Sequence, residues 1–126
     1  MSKYLLDSDI LADYLTSSDN MNSHLIHLMQ KGICLTTVLN AAELLASCKD
    51  SNEEKQVRSV LDSLKVLGLH SRYALNVREY SDKTKSLRDA LFSVVSSINK
   101  LPIVTFDRER YKKTKLKIIH PQDLRE

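Results

Sequence analysis

The sequence predicts an α/β protein with a mostly parallel sheet, and three observations carry that expectation. Short apolar runs of strand length, at residues 3–6, 33–35, 102–105 and 116–119, alternate with segments whose apolar residues recur at helical spacing. Acidic residues stand where the chain leaves two of those runs, Asp7 after the first and Asp107 after the third. The chain has 126 residues, 42% apolar and 28% charged, which suits one soluble domain over residues 1–126 and excludes a disordered tail.

The first run, 3–6, is a half-apolar strand. Ile10, Leu11, Tyr14 and Leu15 then mark a helix that Asp7 or Asp9 can cap. Met21, Leu25, Leu28 and Met29 predict a second helix over 21–31, stopped by Gly32. Residues 33–35 read as a strand and 38–47 as an alanine-containing buried helix. Val57, Val60, Leu61 and Leu64 place a helix over 53–67 ending at Gly68, with a brief strand at Leu69 and His70. A weakly patterned helix follows near 73–82. Leu87, Ala90, Leu91, Val94, Val95 and Ile98 define a clearer one over 86–99. The strand at 102–105, a basic helix from about Arg108 and a last strand at 116–119 complete the pattern.

Composition removes several function classes. Two Gly and two Pro leave no glycine-rich phosphate loop, which excludes Walker A and dinucleotide fingerprints. No apolar run reaches the length of a membrane span, and the first residues do not resemble a secretory signal. Cys34 and Cys48 lack metal or redox spacing and read as reduced thiols of a cytoplasmic protein. The formal charge of +3 conceals an asymmetry. Residues 108–117 carry +5, and the rest of the chain −2. A basic strip on an acidic body suits a polyanion, with Arg108, Arg110, Lys112 and Lys113 as candidate contacts; it equally suits a solvated helix face.

The acids carry the chemistry. Ligands of parallel α/β sheets gather at the carboxyl ends of the strands, where Asp7 and Asp107 stand. Asp89 lies in the first turn of the helix leading to the later strand, and Glu43 is set among Ala41, Ala42, Leu44 and Leu45. Each also has a plain structural use, as a cap or on a solvent stripe. If the four converge they repel one another, and a cation must neutralise them. Oxygen ligands without a Cys/His set point to Mg²⁺ or Mn²⁺, and such an ion suits phosphodiester hydrolysis.

In these residues the chain resembles the PIN-domain ribonucleases, and in size the VapC toxins of toxin–antitoxin pairs. The opening Tyr4-Leu5-Leu6-Asp7-Ser8-Asp9-Ile10-Leu11 is similar to the family's first strand and D-T/S-N/D-V/I-L motif. The stretch from Thr36 to Leu44 resembles the segment that delivers its Glu, Asp89-Ala90-Leu91 its D-A-L/I helix start, and the stretch from Thr105 to Tyr111 its T-x-D/N-x-x-x-F. The resemblance implies a three-layer α/β/α fold with four or five short strands. It also implies a Mg²⁺- or Mn²⁺-dependent endoribonuclease leaving 3′-hydroxyl and 5′-phosphate ends. Asp7, Asp89 and Asp107 would hold the metal and Glu43 would complete the site, with Ser8, Asp9 and Thr105 orienting the ligands. Implied partners are RNA, a VapB-type antitoxin seated near Leu11, Tyr14 and Leu25, and a second copy of the chain. Three departures stand out: Phe92-Ser93-Val94 where small residues are common, Asn99-Lys100-Leu101-Pro102 in place of a glycine turn, and Tyr111 in place of Phe.

Other readings compete. Asp7-Ser8-Asp9 also matches the D-x-D of haloacid-dehalogenase phosphatases, but the chain has no convincing later lysine and paired-aspartate motif. A PIN-like domain that binds RNA or protein without cleaving is a second alternative, and an RNA-processing nuclease outside any toxin pair a third. His24 and His27 lack a matching second pair for a metal, and the five tyrosines are too scattered for a base-stacking platform.

Overall fold

The computed structural model describes residues 1–125, and its strands feed two cores by simple alternation. Along β1 (Lys3–Leu6), Tyr4 and Leu6 face one side and Leu5 the other. β2 (Ile33–Thr37) splits Cys34 from Leu35 in the same way, and β4 (Ile103–Val104) splits Val104 from Ile103. With β3 (Lys65–Leu67) and β5 (Ile118–Ile119) these strands form one parallel sheet in the order β3-β2-β1-β4-β5. The first face is covered by α1 (Ser8–Thr16), α2 (His24–Lys31), α3 (Val38–Ala46) and α4 (Ser51–Asp62). The second is covered by α5 (Arg78–Ser81), α6 (Leu87–Asn99) and a 3₁₀ segment, Arg108–Thr114. The expected three-layer α/β/α architecture is the observed one.

Strand order creates the site. From β1 the chain moves outward through β2 to β3, then crosses back to pair β4 with the free edge of β1. The carboxyl ends of β1 and β4 therefore diverge at a topological switch point, where α/β sheets open a crevice. Register places Leu6 beside Val104, so Asp7 and Thr105 emerge at the same level.

Local chemistry sets the boundaries. Ser23 caps α2 through its hydroxyl, so that helix begins at His24; the turn before it leaves Met21 73% exposed, outside the apolar face the spacing suggests. Gly32 has an extended backbone, and a Cβ there would stand 2.4 Å from the Ser2 carbonyl oxygen. Glycine is required at that position by close approach to β1. The helix predicted over 53–67 starts at Ser51 and stops at Asp62, and residues 65–67 form edge strand β3. Apolar periodicity cannot separate a helix end from a short strand when Val66 and Leu67 follow Leu64 after a single lysine. Residues 69 and 70 form no strand. The helix near 73–82 resolves into a 3₁₀ segment and the single turn of α5, and the basic segment is 3₁₀ as well. In the turn before β4, Lys100 takes the left-handed conformation (φ 54°) that a glycine would adopt without strain. No helix among the described residues is long and apolar enough to cross a membrane.

Candidate active site

Asp7 forms the floor. It is fully buried, and its Oδ1 accepts the Ser8 backbone N–H at 2.8 Å, which makes it both the N-cap of α1 and a pocket carboxylate. Its Oδ2 accepts the Tyr111 hydroxyl at 2.5 Å. Asn40 also reaches the floor: its Nδ2 donates to Ser8 Oγ at 2.9 Å and lies 3.3 Å from Asp7 Oδ1. A capping box orients that amide. Thr37 Oγ1 accepts the backbone N–H of Leu39 and Asn40, while Asn40 Oδ1 takes both the N–H and hydroxyl of Thr37.

The other acids arrive from separate elements. Ser86 caps α6 by accepting the Asp89 N–H at 3.1 Å, which starts the helix where the buried Asp89 carboxylate shares Arg88 and Arg110 with Asp7. Glu43, one turn into α3, has a half-exposed carboxylate whose Oε1 accepts the Ser8 hydroxyl at 2.7 Å. Asp107 is also half exposed, its N–H donating to Thr105 Oγ1 at 3.2 Å. Thr105 in turn donates to Asp9 Oδ2 at 2.8 Å, and the Phe106 N–H adds 3.0 Å to the same oxygen. Asp9 thus ties α1 to the exit of β4. Its Oδ1 is buried without a hydrogen-bond partner among the described residues. Burial raises the Asp9 carboxyl above its ordinary value; Thr105 pulls it back, and the nearby Asp7 charge reinforces the rise.

Two arginines offset part of the pocket's negative charge. Arg88 precedes Asp89, and its Nη2 reaches Asp7 Oδ1 at 2.5 Å and Glu43 Oε1 at 2.8 Å. Its Nη1 donates to Asp89 Oδ1 at 3.1 Å and to the Tyr111 oxygen at 2.8 Å. The guanidinium rests 5.0 Å from the centre of the Phe92 ring, which tilts against Tyr111. Burial opposes the Arg88 charge, but Asp7 beside it and hydrogen bonds to Asp7 and Glu43 outweigh that, raising its pKa further. Arg110 stands outside, 3.7 Å from Asp7, 3.8 Å from Asp89 and 3.9 Å from Asp107. Tyr111 is held neutral, first by burial and then by the charge of Asp7.

The structure thus brings Asp7, Glu43, Asp89 and Asp107 to one crevice through shared arginine partners, with Ser8 among them and Thr105 and Asp9 behind. Arg88, Asn40 and Tyr111 were not picked out as site residues by the sequence. The available signals were the chain order Arg88-Asp89 and the hydroxyl at Tyr111 where the resemblance expects Phe. Of the candidate basic contacts, Arg110, Lys112 and Lys113 border a cleft beside the pocket with Lys83, Lys85, Asp82 and Glu109; Lys112 pairs with Glu109 at 3.7 Å and Arg108 with Asp123 at 3.0 Å. The remaining candidates serve packing. His27 meets the Leu124 carbonyl at 2.8 Å, and His24 and His120 stand edge-on to Phe106. Cys34 and Cys48 are free thiols, that of Cys34 pushed up to about 11 by burial.

The donors fit a hard divalent cation in kind: all are carboxylate or hydroxyl oxygens at the switch point of the sheet. As arranged, their lone pairs are directed to Arg88 and Arg110, and among the described residues no three acidic, His or Cys groups are grouped to hold a metal ion.

A family model for the PIN domain matches residues 4–116 of this chain. The chain belongs to the PIN domain family. Members of that family are generally nucleases that use divalent metal ions. No curated protein matches the sequence. Solved structures similar in fold include FitAcB from Neisseria gonorrhoeae, at 15% identity over 94% of this chain and 98% of that chain, with a TM-score of 0.72. A toxin–antitoxin complex from Klebsiella pneumoniae aligns at 14% identity over 94% and 97% of the two chains, with a TM-score of 0.77. VapBC-1 from nontypeable Haemophilus influenzae gives 12% identity over 95% and 98%, again with a TM-score of 0.77. At these identities the likeness shows the PIN fold, and the chemistry of this PIN domain rests on its own residues.

Proposed function

We propose that this PIN domain is a Mg²⁺- or Mn²⁺-dependent endoribonuclease and the toxin of a VapBC-type pair. The observation that carries the nuclease reading is the meeting of Asp7, Glu43, Asp89 and Asp107 at the carboxyl ends of β1, β2 and β4. Asp7, Asp89 and Asp107 would hold the ion, with Glu43 at the open side. When bound, the cation supplies an acidified water and neutralises charge on the phosphoryl oxygens. The chain's own groups do the rest. Asn40, Ser8 and Tyr111 fix the orientation of Asp7 and Glu43. Half-exposed Glu43 can take a proton at the mouth of the pocket, and Arg110 can meet a phosphate arriving along the cleft of Lys83, Lys85, Lys112 and Lys113. The products would carry 3′-hydroxyl and 5′-phosphate ends.

The antitoxin reading is supported by the folds of the toxin–antitoxin complexes above and by an apolar groove between α1, α3 and α4 lined by Ala12, Leu15, Leu44 and Val57. Leu11, expected at the contact, is fully buried; Tyr14 and Leu25 border a neighbouring groove with Met29. A homodimer is part of the same proposal. The test is cleavage of RNA by the purified chain with Mg²⁺ or Mn²⁺, with Asp7→Asn as control. Equal cleavage by both proteins, or none by the wild type, refutes the catalytic assignment. Replacing both Lys112 and Lys113 by Glu should weaken RNA binding and flatten its salt dependence.

A further inference from the structure

The pocket has its own cation, delivered by the same helix turn as one of its acids. Arg88 is only 17% exposed, and its donors are all engaged. Nε donates to Glu43 at 3.0 Å, Nη1 to Asp89 at 3.1 Å and Tyr111 at 2.8 Å, and Nη2 to Asp7 at 2.5 Å, Glu43 at 2.8 Å and Ser8 at 3.1 Å. This is not a surface ion pair of marginal worth: one planar fork bridges carboxylates from three different elements.

We propose that Arg88 and a divalent cation compete for one set of carboxylate oxygens, so that Arg88 sets the metal affinity of this chain. The inference rests on the reading of the pocket as a metal site. Asp7 Oδ1 already accepts the Ser8 N–H and the Arg88 guanidinium, and Oδ2 the Tyr111 hydroxyl. A small hard cation requires the same oxygens at about 2.0–2.1 Å, and a guanidinium bonded to those oxygens occupies the place the ion would take. The guanidinium must therefore leave for the ion to enter. Of its three carboxylate partners Glu43 is the one open to solvent, and the Phe92 ring lies 5.0 Å from the guanidinium. An Arg88 that never left would make this a PIN domain that binds RNA without cutting it.

The experiment is calorimetric titration of Mn²⁺ alone into the purified full chain and its Arg88→Gln variant. Binding at least about tenfold tighter in Arg88→Gln supports competition, and equal affinity overturns it, as does an absence of Mn²⁺ binding in both proteins. Should Arg88→Gln not fold, Arg88→Lys replaces it, because a point charge cannot bridge three carboxylates and must also yield tighter Mn²⁺ binding. A second measurement needs no variant. The ¹⁵N resonance of the Arg88 side-chain Nε–H is followed while Mg²⁺ is added; it should shift and exchange faster with water as the ion saturates, and an unmoved signal overturns the proposal. The two readings fail separately. Tighter Mn²⁺ binding in Arg88→Gln without RNA cleavage by the wild type refutes the nuclease and leaves competition standing. RNA cleavage by a wild type that binds Mn²⁺ as well as Arg88→Gln does the reverse.

Discussion

Asp7 and Asp107 leave the carboxyl ends of neighbouring strands, yet their surroundings have little in common. Asp7 is fully buried, with both oxygens hydrogen-bonded and Arg88 against it. Asp107 is half exposed, and its nearest cation, Arg110, lies 3.9 Å away. One is held by the core; the other borders solvent. The difference teaches that a carboxylate proposed for catalysis can also be a structural one where burial forces it to have partners, and that its neighbour at the rim is under no such constraint.

The largest expected effect breaks the floor. Asp7→Asn should lower cleavage by at least about 100-fold, the upper end of what loss of a group supporting a metal ligand costs. From the sequence, removing one of four like charges should leave stability unchanged or higher. The ion pairs reverse that expectation: Arg88 loses its most buried partner while keeping Glu43 and Asp89, so the variant should be less stable by about 2–3 kcal/mol in denaturant titration. Next comes Tyr111→Phe, which removes one donor to Asp7 without opening a cavity. It should cost about 1–2 kcal/mol, because a buried acceptor loses its partner, and wild-type stability in that variant would show that the hydroxyl is not needed.

Smaller effects separate rim from floor. Raising pH should cost the Asp9 region stability: burial lifts the folded-state carboxyl above 3.8, so the folded protein holds the proton longer than the unfolded chain. Stability contributed by protonated Asp9 is lost as pH climbs from about 3.8 through the raised value and is flat above it. Asp9→Asn should remove that slope and gain on the wild type across the same window, measured as thermal midpoint against pH. The smallest stability change belongs to Asp107→Asn, within about 0.5 kcal/mol, while its cleavage falls; a large loss of stability would place Asp107 with the floor.

Much of this was legible in the chain. The parallel sheet followed from alternating strand and helix signals, Asp7, Asp89 and Asp107 from their positions after strands and in a first helical turn, and Glu43 from its place among apolar helix residues. The helix boundary at Asp62 was not legible, because Leu64, Val66 and Leu67 continue an apolar pattern that suits either a helix or an edge strand. Met21 was misplaced on a buried face because spacing alone does not reveal that the Ser23 hydroxyl starts the helix later.

By itself the sequence determined which groups could do chemistry and roughly where on the strands they would stand, because periodicity and capping are local properties of a few adjacent residues. Only the tertiary structure decided which charges meet. Arg88 and Asp7 are 81 positions apart, Tyr111 and Asp7 104, and no local rule pairs them. They are joined because β4 returns to the open edge of β1, which brings the first turn of α6 and the 108–114 segment over the buried end of β1. A carboxylate sealed there must take whatever cations and hydroxyls that crossing supplies, and the crossing is a property of the whole sheet.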